Sequence, residues 1–255
     1  MIIDMSTTAD SNWARPFFVG KSVLVTGGTS GIGAAIAAGF AAAGASVIAT
    51  GATDAEVEAV RADACSGVGF CQLDVRDRTA VEALVASFDA LDVVVNCAGI
   101  IRRGDELDPD VFASVVDINL TGSMRVCAAA RPLLARSGAA AIVNLASVLT
   151  FQGGGLVPGY SASKGGIGQM TKSLAIAYAD NGIRVNAVAP GWITTPLTSA
   201  LQADPARSEG ILARTAMKRW GRPQDIVGGV LFLASPAAAF ITGVILPIDG
   251  GYLAT

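Results

Sequence analysis

Lys21-Ser-Val-Leu-Val-Thr26 runs into Gly27-Gly-Thr-Ser-Gly-Ile-Gly33, then into Ala34–Ala43 and Ser46-Val-Ile-Ala-Thr50. The first run is short, apolar and β-branched, as a strand buried on both faces requires. The glycines form a loop that lets the backbone turn tightly, and the small-residue stretch after it predicts a helix lying close against a sheet. Strand, glycine loop, helix and strand in that order make a βαβ unit. Its loop aims backbone N–H groups at a helix N-terminus, where a dinucleotide pyrophosphate can bind. Ser22–Thr53 carries no charge, as a membrane span would, but seven glycines and several Ser/Thr breaks divide it into strand, loop, helix and strand.

The same alternation extends outward. Helical 54–64 precedes a strand at 68–73 that ends at Asp74, and helical 77–88 precedes a strand at 91–96 that ends in Asn96-Cys-Ala-Gly99. A long helical segment from Pro109 to about Ala135 contains Ile118-Asn-Leu-Thr121. Strand 142–147, helix 159–180, strand 183–189, a polar segment to about Arg219, helix 223–234 and strand 244–247 complete the series. The expected fold class is α/β: a Rossmann-type doubly wound parallel sheet of about seven strands, with helices on both faces, in a single domain. The catalytic domain is expected over 21–255. Residues 1–20 are expected to be a mobile N-terminal extension whose Pro16-Phe-Phe-Val19 patch packs under the sheet.

Composition narrows the function. The 255 residues are 52% hydrophobic and 15% charged, with a formal charge of −3. That balance argues against nucleic acid or an anionic membrane as the main partner. There is no histidine, which removes His-based triads, His-ligated metal and His acid–base catalysis. Cys65, Cys71, Cys97 and Cys127 form no Cys-x-x-Cys, and residues 1–20 do not read as a secretory leader, so reduced thiols and a cytoplasmic location are expected.

The chemistry is expected where Ile142-Val-Asn-Leu-Ala-Ser147 delivers a hydroxyl to a strand tip and Tyr160-Ser-Ala-Ser-Lys164 follows on a helix. At that spacing phenol and ammonium share one helix face. Bringing a phenol from about 10 toward neutrality takes roughly 4 kcal/mol. An ammonium at about 4 Å supplies around 4 kcal/mol at an effective dielectric near 20. Tyr160 could then act as general acid or base, with Ser147 donating to a substrate oxygen. Tyr-x-x-x-Lys by itself is an ordinary helical pairing; its partners along the chain give it weight.

Thr26-Gly-x-x-x-Gly-Ile-Gly33, Asp74, Asn96-x-Ala-Gly99, Asn119, Ser147, Tyr160-x-x-x-Lys164 and Pro190-Gly191 occur in an order that resembles the short-chain dehydrogenase/reductase family. The resemblance spans 21–251 and implies NAD(P)-dependent alcohol/carbonyl interconversion. It implies Tyr160 as proton donor or acceptor, and Lys164 lowering the phenol pKa and binding the nicotinamide ribose. It also implies Ser147 holding the substrate oxygen and Asn119 positioning a water behind Lys164. Gly27, Ser30, Ile32 and Gly33 would surround pyrophosphate and adenosine, Asp74 would meet the adenine, and Asn96, Ala98, Ile193 and Thr195 would line the cofactor. A homotetramer is implied as well. Cys97 departs from the family's usual Asn.

A narrower resemblance joins Asn96–Arg103, Ser147–Gly154, Val157-Pro-x-Tyr160 and Arg219-Trp-Gly-x-Pro223 to a branch acting on 2-dehydro-3-deoxy-D-gluconate and gluconate. Arg102 and Arg103 follow the cofactor-lining loop, where a guanidinium can grip a substrate carboxylate. Gln152, Trp192, Arg214 and Trp220 are candidates for hydroxyl contacts and a lid. NAD is expected over NADP. Gly51 supplies neither carboxylate nor cation, no Lys or Arg lies between Ser22 and Val60, and Asp54 would repel a 2′-phosphate. The competing expectations are a reductase of another ketone, such as a 3-oxoacyl thioester or steroid, and a non-catalytic cofactor-sensing module.

Overall fold

A computed structural model describes residues 11–61 and 67–255. Among these, seven strands form one parallel sheet in the order β3-β2-β1-β4-β5-β6-β7. The strands are β1 Ser22–Thr26, β2 Ser46–Gly51, β3 Val68–Gln72, β4 Val93–Asn96, β5 Ala141–Leu145, β6 Arg184–Pro190 and β7 Ile245–Ile248. The expected doubly wound architecture is therefore present, and strand order reverses between β1 and β4. Their register pairs Thr26 with Asn96, so both chains leave the sheet at the same level. The crevice beyond that pair is where such sheets take ligands.

Two apolar layers sandwich the sheet. On one face Val23, Val25, Val93, Val95 and Val143 pack with Ile36, Phe40, Ile226 and Val230. On the other Leu24, Val94 and Ile142 pack with Val81, Val126, Leu134 and Leu174. Successive strand residues face opposite layers, so continuous Val/Ile runs feed both. The helices Gly31–Ala42 and Pro223–Ala234 approach closely at Gly39, where a Cβ would lie 2.4 Å from Val227 Cγ1.

The aromatic patch of the extension docks on this core. Phe18 is buried, with its ring edge-on to Phe40 at 5.0 Å between centroids. Residues 11–18 are helical, while 1–10 of the expected tail lie outside the described residues. Cys71, Cys97 and Cys127 are free thiols; Cys65 lies outside the described residues.

The segment expected as one helix from 109 to 135 is a helix Pro109–Val116, a π turn Asp117–Gly122 and a helix Ser123–Leu134. It is long and apolar enough to cross a membrane, yet Val126, Cys127, Ala130 and Leu134 are buried in the second layer. The expected polar segment after β6 contains a helix Pro205–Arg214, capped by Asp204 through the Arg207 N–H.

Candidate active site

The glycine loop is built from close backbone approach. A Cβ on Gly33 would stand 2.1 Å from Gly27 O, and one on Gly27 would stand 2.7 Å from Ala98 Cα. Gly31 has φ +52°, a left-handed conformation that glycine adopts without strain. Ser30 precedes the Gly31–Ala42 helix without capping it through its side chain, which leaves first-turn N–H groups for an anion. Thr195 closes the loop from the other side, its Cγ2 lying 3.3 Å from where a Gly31 Cβ would be. Ile193 is buried and bridges to Gly221. Gly27, Ser30, Ile32, Gly33, Ala98 and Thr195 thus come together around a cradle that fits the diphosphate of a dinucleotide.

Asn96 lies deeper. Its Nδ2 donates to Asn144 Oδ1 at 2.8 Å and to Cys127 Sγ at 3.2 Å, while its Oδ1 is buried without a partner among the described residues. A buried acceptor left open beside the crevice is consistent with a ligand donor there. Asp74 is less open than expected. Arg76 holds its carboxylate through Nη2 at 2.6 Å and Nε at 3.0 Å, keeping it below the usual carboxylate range.

Ser147 stands beyond the end of β5 and caps a short 3-10 turn, accepting from the Leu149 N–H at 3.1 Å. Its hydroxyl stands close enough to the Tyr160 phenol to favour the phenolate, against the effect of burial. Tyr160 and Lys164 lie on the helix Pro158–Ala177. The Lys164 ammonium is buried, donates to Leu145 O at 2.6 Å and sits 5.5 Å from the centroid of the Tyr160 ring.

Protein groups alone do not place this phenol near neutrality. Burial pushes Tyr160 up to about 12, against the Ser147 hydrogen bond and with the nearby Glu106 charge. Burial likewise brings Lys164 down to about 8. The physical reason is that desolvation disfavours both charged forms, and the ammonium bonds a carbonyl rather than the phenol oxygen.

Asn119 lies in the π turn, where the extra residue per turn offsets its side chain toward the β4 loop. Its Oδ1 accepts from the Ile100 N–H at 2.8 Å, and its Nδ2 donates to Ile100 O at 3.0 Å and Ser163 Oγ at 3.1 Å. Both amide protons are thereby engaged in fixing the loop to the catalytic helix.

Arg102 and Arg103 are exposed on that loop, and neither guanidinium has a hydrogen bond or ion pair among the described residues. Gln152 is half-buried at the following bend, with its amide unbonded among the described residues. The lid candidates behave differently. Arg214 lies 4.3 Å from the Tyr252 ring centroid and donates to its hydroxyl at 2.9 Å. Trp220 Nε1 donates to Ser208 Oγ at 2.9 Å, and Trp192 stacks edgewise on Trp220 and Tyr252. These contacts hold the segment after β6 together and engage Arg214 and Trp220 within it, while Trp192 Nε1 is buried without a hydrogen-bond partner among the described residues.

Two acidic residues escaped the sequence reading. Glu106, only 1% exposed, accepts from the Arg102 N–H and the Tyr160 N–H, each at 2.7 Å. Glu56 accepts from the Ala52 N–H at 2.7 Å beside Gly51. Glu56 stands in a helix-start pattern, Thr53-x-x-Glu56, with Thr53 Oγ1 accepting from its N–H at 3.2 Å, whereas no local pattern marks Glu106, whose second amide partner is 54 residues away.

The family model described as enoyl-(acyl carrier protein) reductase matches residues 27–253. The chain is a short-chain dehydrogenase/reductase. It is 42% identical to 2-dehydro-3-deoxy-D-gluconate 5-dehydrogenase of Pseudoalteromonas atlantica, over 92% of this chain and 96% of that one. It is 39% identical to 3beta-hydroxysteroid dehydrogenase 1 of Eggerthella lenta, over 91% and 93%. Among solved structures, a gluconate 5-dehydrogenase from Burkholderia cenocepacia in complex with NADP and tartrate has a TM-score of 0.87 and 31% identity, covering 95% of this chain and 98% of that one. This short-chain dehydrogenase/reductase is an NAD(P)-dependent oxidoreductase acting on a small molecule.

Proposed function

We propose that the enzyme oxidises a secondary hydroxyl of an open-chain sugar acid, of the 2-dehydro-3-deoxy-D-gluconate or gluconate type, or reduces the matching ketone. The observation that carries this reading is the placement of Arg102. One carboxylate, Glu106, joins the Arg102 backbone to that of Tyr160, so the loop that carries an exposed guanidinium, unbonded among the described residues, is tied to the start of the Tyr160 helix. A guanidinium fork there suits a substrate carboxylate. The names of the sugar-acid relatives, and tartrate in one of the solved structures, support the same chemistry.

In the oxidising direction the substrate hydroxyl would lie between Ser147 and Tyr160, and its proton would pass to the Tyr160 oxygen after that oxygen has released its own proton to solvent. Ser147, fixed by the Leu149 N–H, donates to the same substrate oxygen. Lys164 contributes positive charge beneath the ring and a donor for a ribose hydroxyl. Gly27, Ser30, Ile32, Gly33 and Thr195 would hold the diphosphate, Asn96, Ala98 and Ile193 the nicotinamide side, and Asp74 the adenine. The nicotinamide, when bound, supplies the hydride acceptor.

NAD is the cofactor proposed. Glu56 places a carboxylate at the end of β2 and occupies the Ala52 N–H, and the flanking cations Arg61 and Arg76 are paired with Glu58 and Asp74. Several solved relatives hold NADP, which makes a side-by-side comparison of the two cofactors the direct test. A homotetramer in the cytoplasm, with 21–255 as the catalytic domain and 1–20 as an extension, completes the reading; the free thiols support a reducing compartment.

The test is steady-state kinetics on gluconate-type acids, matching neutral polyols and a 3β-hydroxysteroid. Arg102→Ala and Arg103→Ala are compared with the parent. The acid should be preferred, and at least one replacement should cost about 2–5 kcal/mol in kcat/KM on it. Tyr160→Phe should lower turnover about 10²–10⁴-fold while cofactor still binds. Equal rates on acid and polyol, unaffected by either arginine, would remove the sugar-acid reading; preference for the steroid would replace it.

A further inference from the structure

The carboxylate of Glu106 is buried, and among the described residues no cation is paired with it. Its oxygens divide between two elements of the site: Oε1 accepts from the Arg102 N–H and Oε2 from the Tyr160 N–H. Tyr160 is in the first turn of the helix Pro158–Ala177, whose N-cap residue Val157 has no side chain able to cap. Its N–H is one of the donors that a helix start leaves unpaired, and Glu106 supplies the cap from another segment. The positive end of the helix in turn stabilises the buried charge. Glu106 N–H also donates to Arg102 O at 3.1 Å, so the residue grips the Arg102 peptide on both sides.

We infer that Glu106 is a positioning residue that sets the distance and orientation of the Arg102 loop relative to Tyr160, and that its negative charge tunes proton transfer at that tyrosine. Only a carboxylate serves both N–H groups, because a glutamine would turn an NH₂ toward one of them. An aspartate keeps the charge but is one methylene too short to span both. The charged and titratable groups facing the Tyr160 phenol are Glu106, Lys164 beneath the ring, and the hydroxyl of Ser147 from the end of β5; Cys97, on the loop after β4, lies within electrostatic reach of Lys164. Against these, loss of the Glu106 charge favours the phenolate. The inference rests on Tyr160 being the acid–base residue, as proposed above.

The experiment measures kcat, KM and the pH dependence of kcat/KM for alcohol oxidation in the parent, Glu106→Gln, Glu106→Asp and Tyr160→Phe. NADH affinity is followed by fluorescence and the melting temperature is recorded for each. Glu106→Gln should lose kcat/KM roughly ten- to a hundredfold, the equivalent of one charge-assisted hydrogen bond. The rising, low-pH limb of its pH profile, which follows deprotonation of Tyr160, should move to lower pH. Glu106→Asp should lose kcat/KM by a similar factor with the limb where the parent has it, and both should keep NADH affinity within about threefold. If Glu106→Gln does not fold, the Asp variant decides alone: lost kcat/KM with an unmoved limb supports the inference, and parental kcat/KM overturns it. Variants that melt lower but keep parental kcat/KM and pH profile reduce Glu106 to a packing role and also overturn it. An active Tyr160→Phe would instead refute the acid–base assignment, so the two failures are distinguishable.

Discussion

Lys164→Met should give a protein that is no less stable at neutral pH and has lost turnover. The Lys164 ammonium is 5% exposed and its pKa falls from 10.5 to about 8, with burial as the main cause. That fall corresponds to about 3 kcal/mol held against the charged form. Methionine has nearly the same length and no charge to desolvate. It leaves Leu145 O, which accepts from Nζ at 2.6 Å, without that donor. An unsatisfied buried carbonyl costs about 1–3 kcal/mol. The difference leaves the variant between equal and about 2 kcal/mol more stable at pH 7, up to a few degrees in melting temperature for a chain of this size. The linkage has a definite sign. Because the folded pKa lies below 10.5, the unfolded chain binds more protons between about pH 8 and 10.5, and stability from this group rises with pH there. It is fully present above 10.5 and lost as pH falls through about 8. Tyr160, raised to about 12, acts oppositely: its contribution is complete below pH 10 and declines above. Urea denaturation of parent and variant at pH 7, 8, 9 and 10 tests this. The parent should gain on the variant across the series. A variant at least 1 kcal/mol less stable at pH 7, or parallel pH curves, would refute the argument that Lys164 is kept for function at the expense of stability.

Gly33→Ala should abolish tight cofactor binding. Its Cβ would meet Gly27 O at 2.1 Å, and that atom is backbone that cannot swing aside. A fluorescence titration with NADH should show at least a tenfold loss, and parental affinity would mean that the loop is not the diphosphate cradle. Glu56→Gln should shift cofactor preference toward NADP by roughly five- to a hundredfold, as removal of about 1–3 kcal/mol of unfavourable charge predicts. Binding constants for NADH and NADPH measured side by side check it, and an unchanged ratio would discount Glu56.

Order along the chain, strand boundaries to within a few residues, the glycine loop and the Tyr160/Lys164 spacing were all legible in the sequence. Each depends on local periodicity or on a glycine that nothing else can replace. Tertiary structure decided the rest, because burial and partnership are properties of space rather than spacing. The four-residue interval puts phenol and ammonium on one helix face, but only the packed site shows Lys164 bonded to Leu145 O and both groups shifted by desolvation away from their charged forms. Trp192, Arg214 and Trp220 read as candidates for hydroxyl contacts until the stacking of Trp192 on Trp220 and Tyr252 and the bonds of Arg214 to Tyr252 and of Trp220 to Ser208 are seen. Glu106 looks like one of several acids on a surface loop. Folding carries it 54 residues along the chain to the Tyr160 amide, where a buried carboxylate is stable because two N–H groups and a helix end surround it.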